Sequence, residues 1–119
     1  MLNLPRSVQI YLANGPTDMR KGYNGLAGLV SSSGFDIYSG HLFVFIGKHR
    51  NRVKIITFER GGFVLYCKRL ERGRFRMPSL EGDTVRLDAA QLTMLLDGVD
   101  VSQVQRNKVW EPPGSTCLQ

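Results

Sequence analysis

The residues that usually carry enzyme or metal chemistry are scarce in this chain of 119 residues. There are two cysteines, Cys67 and Cys117, and two histidines, His41 and His49. Two cysteines cannot build a disulfide framework, and their separation excludes a CxxC metal knuckle. Neither histidine stands at ligand-like spacing from the other or from a cysteine. The glycines Gly61-Gly62 and Gly22, Gly25 and Gly28 lack the strand–loop–helix context of a phosphate-binding loop, and no GxSxG elbow occurs. Asp18, Asp36, Glu59, Glu81, Asp83 and Asp88 are scattered through positions that read as caps and turns. A non-catalytic protein with no metal and no cofactor is therefore expected. No apolar run approaches the roughly 18–20 residues that cross a bilayer. The start, Met1 to Arg6, has no basic segment followed by an apolar one, so no secretory signal is expected. With so little cysteine, a reduced cytoplasmic setting fits best.

What is present is an ordinary globular composition, 42% hydrophobic and 22% charged, which excludes collagenous, coiled-coil and wholly disordered chains. The length suits one domain with a real core. We expect a single α+β domain over residues 1–101 and a C-terminal tail over 102–119.

The charge is uneven. The formal net charge is +6. Residues 48–76 carry ten basic side chains against Glu59 and Glu71 alone, a local excess of eight, while the rest of the chain is slightly acidic. Arginine predominates, and its planar fork suits bidentate contacts to phosphate. Such a concentration favours an anionic partner over a merely solvated surface.

Along the chain, Val8 to Leu12 alternates as a strand and stops at Asn14-Gly15-Pro16. Thr17 or Asp18 then suits the N-cap of a helix from Met19 to Ser32, with Met19, Tyr23, Leu26, Ala27 and Val30 forming one apolar stripe. Glycines at every third position predict close packing of that helix on a sheet, and Gly34 ends it. Strands follow over residues 41–46, 53–58 and 63–69, the last two separated by a Gly61-Gly62 turn. The short gaps imply antiparallel hairpins. Cys67 reads as a small buried hydrophobe. Residues 72–77 alternate Arg72, Arg74 and Arg76 with Gly73, Phe75 and Met77, predicting a strand with one cationic face. Thr84 to Leu87 predicts a further strand, and Asp88 caps a last helix over 89–96 with Gly98 beyond it. The fold class is thus α+β: a small antiparallel sheet of four or five strands, one helix before it and one after.

Two features carry chemistry. In Gly15-Pro16-Thr17-Asp18-Met19-Arg20-Lys21-Gly22, two cations stand where a helix macrodipole is already positive. Either they gather potential for a phosphate, or Asp18 pairs with Arg20 or Lys21 and offsets the cost. The second feature is the basic hairpin region, with Phe58, Phe63, Tyr66 and Phe75 interleaved. A cationic sheet face can track a phosphate backbone. The aromatics are more often core, so backbone contact is favoured over base stacking.

Taken in order, these segments resemble a known family, the accessory TnpB-type proteins from the second open reading frame of insertion sequence 66 elements. The resemblance is carried by Ile10-Tyr11-Leu12, the Gly15 to Gly22 segment, Gly25-Leu26-Ala27, Ser39 to Phe45, Lys54-Ile55, Gly62 to Phe75 and Leu92 to Asp100. The chain departs from it at Ile56 to Arg60, where similar proteins often have a Trp-rich strand. The resemblance implies a small cytoplasmic protein that assists DNA transposition beside a separate, larger transposase that holds the catalytic acids. Phosphate contacts are then expected from Arg20 and Lys21 at the helix start, Arg50 and Arg52 at the hairpin tip, and Lys68, Arg69, Arg72, Arg74 and Arg76. The expected partners are DNA, at the element ends, and the transposase. A module that docks on the transposase without touching DNA is the alternative, and RNA would use the same charges.

Overall fold

Apolar residues occupy consecutive positions along the first strand, Ile10 to Ala13, so that both of its faces are covered, and this sets the architecture. The computed structural model describes residues 7–76 and 84–98. Within them lie five strands, β1 (Ile10–Ala13), β2 (Leu42–Ile46), β3 (Arg52–Glu59), β4 (Gly62–Arg69) and β5 (Thr84–Leu87), with helices α1 (Tyr23–Ser32) and α2 (Ala89–Asp97). They form one sheet in the order β4-β3-β2-β1-β5. The α+β reading holds, with one helix, α1, ahead of strands β2 to β5 and one, α2, after them. Three of the four pairings are antiparallel; β1 and β2 run parallel, because α1 provides the crossover between them.

Ile10, Leu12, Leu42, Val44, Ile46, Val53 and Ile55 form one core with Phe75, Leu87, Leu92, Leu95 and Leu96 of the later chain. On the opposite face, Phe43, Phe45 and Ile56 meet Leu26 and Val30 of α1 and Ile37 of a single 3-10 turn, Ile37–Ser39. The central strand β2 is buried at all five positions because it is covered on both sides. Leu12, Val44 and Ile56 have no exposed surface; each such burial is worth about 1.5–3 kcal/mol.

Helix α2 follows expectation. Asp88 accepts from the backbone of Gln91, whose side chain accepts from the backbone of Asp88, closing a capping box. Helix α1 is shorter than expected. It starts at Tyr23 after Gly22, with no side-chain cap, so neither Thr17 nor Asp18 caps it. Tyr23 is exposed, and the buried stripe narrows to Leu26 and Val30. The glycines do not serve close packing on the sheet: Gly22 and Gly28 face open space, and Gly25 meets only the side chain of Lys21. Two interior glycines weaken a helix by roughly 1 kcal/mol each, so packing holds α1 in place.

The expected strand over 72–77 is also corrected. Residues 71–73 bend, Gly73 has a φ of 79°, and only Arg74 makes an isolated bridge. Met77 lies outside the described residues, as does the tail over 102–119. The β3–β4 turn consists of Arg60 and Gly61, with φ values of 50° and 83°, while Gly62 already pairs with Glu59 in the ladder. Cys67 is exposed, because β4 is an edge strand and α1 does not reach over it.

Candidate nucleic-acid interface

The topology sends separate cationic segments to one end of the sheet. Because β1 and β2 are parallel, the chain leaving β1 and the chain leaving β2 emerge at the same end. There β3 also begins and β4 finishes. The N–H of Thr17 donates to Ile46 at 2.9 Å, fastening the 14–22 segment beside the β2–β3 loop. Across the sheet, the ammonium of Lys54 donates to the carbonyl of Lys21 at 2.9 Å, which holds that segment from below. On the other flank, Leu70 donates to the carbonyl of Asn51 and Phe75 to that of Arg50, at 2.8 and 2.6 Å. The β2–β3 loop therefore lies between residues 17–21 and residues 70–76.

Arg20 and Lys21 stand in a turn before α1 rather than in its first helical turn. The Asp18 carboxylate accepts from the Arg20 backbone at 2.9 Å and from its guanidinium Nε and Nη2 at 3.0 and 2.9 Å. Of the two readings open at this motif, the Asp18–Arg20 pairing is the one that forms. These hydrogen bonds hold the Asp18 carboxyl well below the usual carboxylate range and push the Arg20 guanidinium up. The Arg20 side chain is 90% exposed, so one edge of the fork is tied while the group remains in water.

Beside it runs an open groove of about 520 Å³ lined by Thr17, Asp18, Met19, Arg20, Gly47, Lys48, His49, Asn51 and Arg52. A second groove of about 360 Å³ shares Met19 and Arg52 and continues past Lys54, Cys67 and Arg69. Gly47 is required here, since a Cβ at that position would stand 2.6 Å from Met19 Cγ. Arg52 and Arg69 face each other across β3 and β4. Like charges in that position oppose one another, and Glu71, 3.8 Å from Arg69, relieves them only from an exposed position. Arg50 sits at the loop tip with φ at 60°, in the left-handed region.

Phe75 is the anchor of the arginine-rich segment. It is 1% exposed in the α2-side core, while Arg72, Arg74 and Arg76 around it are exposed. Lys68 behaves differently from the other cations: its ammonium donates to the Leu96 carbonyl at 2.7 Å and fastens the last turn of α2. Lys68 also lines the second groove, but its ammonium is directed to the helix. Among the described residues, no group of three or more His, Cys, Asp or Glu is placed to hold a metal, and no helix is long and apolar enough to cross a membrane.

A family model described as IS66 Orf2 like protein matches residues 8–106. The chain belongs to the IS66 Orf2-like family. It is also 39% identical over 113 residues to y4hO of Sinorhizobium fredii, covering 94% of this chain and 96% of that protein. A second protein of the same organism, y4jC, is 34% identical over 113 residues, covering 94% and 97%. Both are described only as uncharacterized. No solved structure matches the chain.

In this IS66 Orf2-like protein, an insertion-sequence accessory protein, Arg20, Arg50, Arg52, Arg69, Arg72 and Arg74 are brought to one end. Lys48 and His49 line the first groove with them, outside the expected set of contacts. They adjoin Arg50 in the sequence, and a reading that weighed the whole loop instead of its arginines would have found them.

Proposed function

We propose that this accessory protein assists transposition in the cytoplasm by binding DNA through its cationic end, without catalysing strand transfer itself. The supporting observation is convergence: residues 17–21, 47–52 and 69–76 are distant in sequence yet meet around the β2–β3 loop. Exposed guanidinium groups in such an arrangement can engage successive phosphates of one backbone. The contacts are made by Arg20, Lys21, Lys48, Arg50, Arg52, Arg69, Arg72, Arg74 and Arg76. The DNA at the element ends is the expected target, with the transposase acting on the same DNA.

The test is binding of a fluorescent duplex to the purified chain as salt is raised. Log affinity is expected to fall linearly with log salt, by about 0.9 for each phosphate contacted. The triple variant Arg20→Glu, Arg52→Glu, Arg74→Glu should lose binding and keep its circular dichroism spectrum. Absence of binding at low salt, or binding indifferent to this variant, would overturn the proposal. Nuclease-resistant retention on the transposase, with no affinity for DNA, would instead assign these cations to an acidic protein surface. Preference for RNA in competition would assign them to that polymer.

A further inference from the structure

We infer that the outer edge of β4, which ends the sheet among the described residues, joins the same edge of a second copy, giving a two-fold dimer with one continuous sheet. The two sheet edges differ. β5 has four residues and β4 has eight, with no proline and an unbroken register against β3 from Arg69 to Gly62. An eight-residue edge that is apolar from Phe63 to Cys67 is a template for another strand unless something blocks it. Phe63, Leu65 and Tyr66 are half-buried, Val64 is 41% exposed and Cys67 is exposed, so side chains on both faces await a neighbour.

The register follows from the β3–β4 turn. With Glu59 and Gly62 flanking a two-residue turn, the Gly62 N–H points to β3. Alternation then directs residues 64, 66 and 68 to β3 as well, in phase with the Leu70 N–H that donates to Asn51. Phe63, Leu65, Cys67 and Arg69 therefore turn their backbone groups outward. An antiparallel two-fold pair must place one residue opposite itself if each face is to continue across the axis. Only with Tyr66 on the axis do all four outward residues meet each other, Phe63 with Arg69 and Leu65 with Cys67, closing about eight backbone hydrogen bonds. This register also suits the charges. Lys68 falls opposite Val64, and Arg69 falls opposite Phe63, whose ring stands 5.3 Å from Phe58 and 5.8 Å from Tyr38. Tyr38 is 63% exposed in the single copy, and a guanidinium over this aromatic cluster is a favourable neighbour. No like charges oppose one another across the axis. A strand from an unrelated protein would satisfy the backbone, but the second copy also satisfies this pattern of side chains.

Sedimentation of the full chain should show a dimer that dissociates on dilution. Cys67→Pro removes one outward N–H and none that faces β3, so it should sediment as a folded monomer. In a Cys67→Ser, Cys117→Ser background, Tyr66→Cys should oxidise to a covalent dimer. The Cα atoms of a non-hydrogen-bonded pair lie about 4.5 Å apart, within the roughly 4.4–6.8 Å that a disulfide spans. A chain that stays monomeric throughout the micromolar range overturns the inference. So does a dimer that survives Cys67→Pro and gives no covalent product in the Tyr66→Cys variant. If Cys67→Pro fails to fold, the oxidation result decides alone.

Discussion

The backbone N–H of Phe75 donates to the carbonyl of Arg50 at 2.6 Å, joining the arginine-rich segment to the tip of the β2–β3 loop. The Phe75 ring is simultaneously buried in the core beneath α2. One residue thus locates Arg72, Arg74 and Arg76 relative to Arg50 and Arg52. Phe75→Ala is expected to cost about 3–5 kcal/mol in denaturant unfolding, the range for emptying a buried aromatic site. A loss below 1 kcal/mol would show that this anchor is not needed.

Asp18 supplies a pH signature. Its carboxyl is held below the ordinary value of 3.8 by hydrogen bonds from Arg20, so it binds fewer protons in the folded chain than in the unfolded one. Its stabilising contribution is therefore complete above the unfolded value and disappears as pH falls through the folded one. Carboxyl-carbon NMR should find Asp18 still ionised below 3.8, and Arg20→Gln should return it towards that value. Equal titration in the two proteins would disprove the pairing.

Arg60 occupies the first position of the β3–β4 turn with φ at 50°, where a side chain is strained. Left-handed backbone costs an L-residue about 1–2 kcal/mol, and asparagine or glycine suits this turn better. Arg60→Gly should raise the midpoint of thermal unfolding by about 4 °C, taking roughly 1 kcal/mol as the gain. Gly61→Ala, at φ of 83°, should lower it.

Lys68 and Arg52 should separate in a salt titration. Arg52→Ala removes a groove cation and should reduce the log–log slope by about 0.9 if it held one phosphate. Lys68→Met should leave that slope unchanged, since its ammonium is spent on Leu96. Its effect should appear instead as faster amide exchange in the last turn of α2. A reduced slope in Lys68→Met would return that lysine to the interface.

Much of the fold was legible because the relevant signals are local. Apolar segments bounded by turn residues revealed β3 and β4, and Asp88 as an N-cap revealed the start of α2. The start of α1 was misread because the Asp18 carboxylate had a competing partner two residues away, which cap preference does not register. Residues 72–77 alternate as well as any strand, yet β3 and β4 already pair along their full lengths and Gly73 turns the chain aside. Edge status misled the reading of Cys67, because strand order is a property of the assembled sheet. The grouping of Arg20 with Arg52 depends on the parallel β1–β2 pair, which no local pattern encodes.

That parallel pair also separates charge along the molecule. Among the described residues it gathers guanidinium groups around residues 47–52, while Asp36, Glu59 and Asp88 lie at the opposite end of the sheet, beside the single cation Arg60 of the β3–β4 turn. The described part of the chain is thereby an electric dipole. In the field of a polyanion it experiences a torque that turns its cationic pole forward before any contact forms, so productive encounters become frequent at low ionic strength and rarer as counterions screen the field.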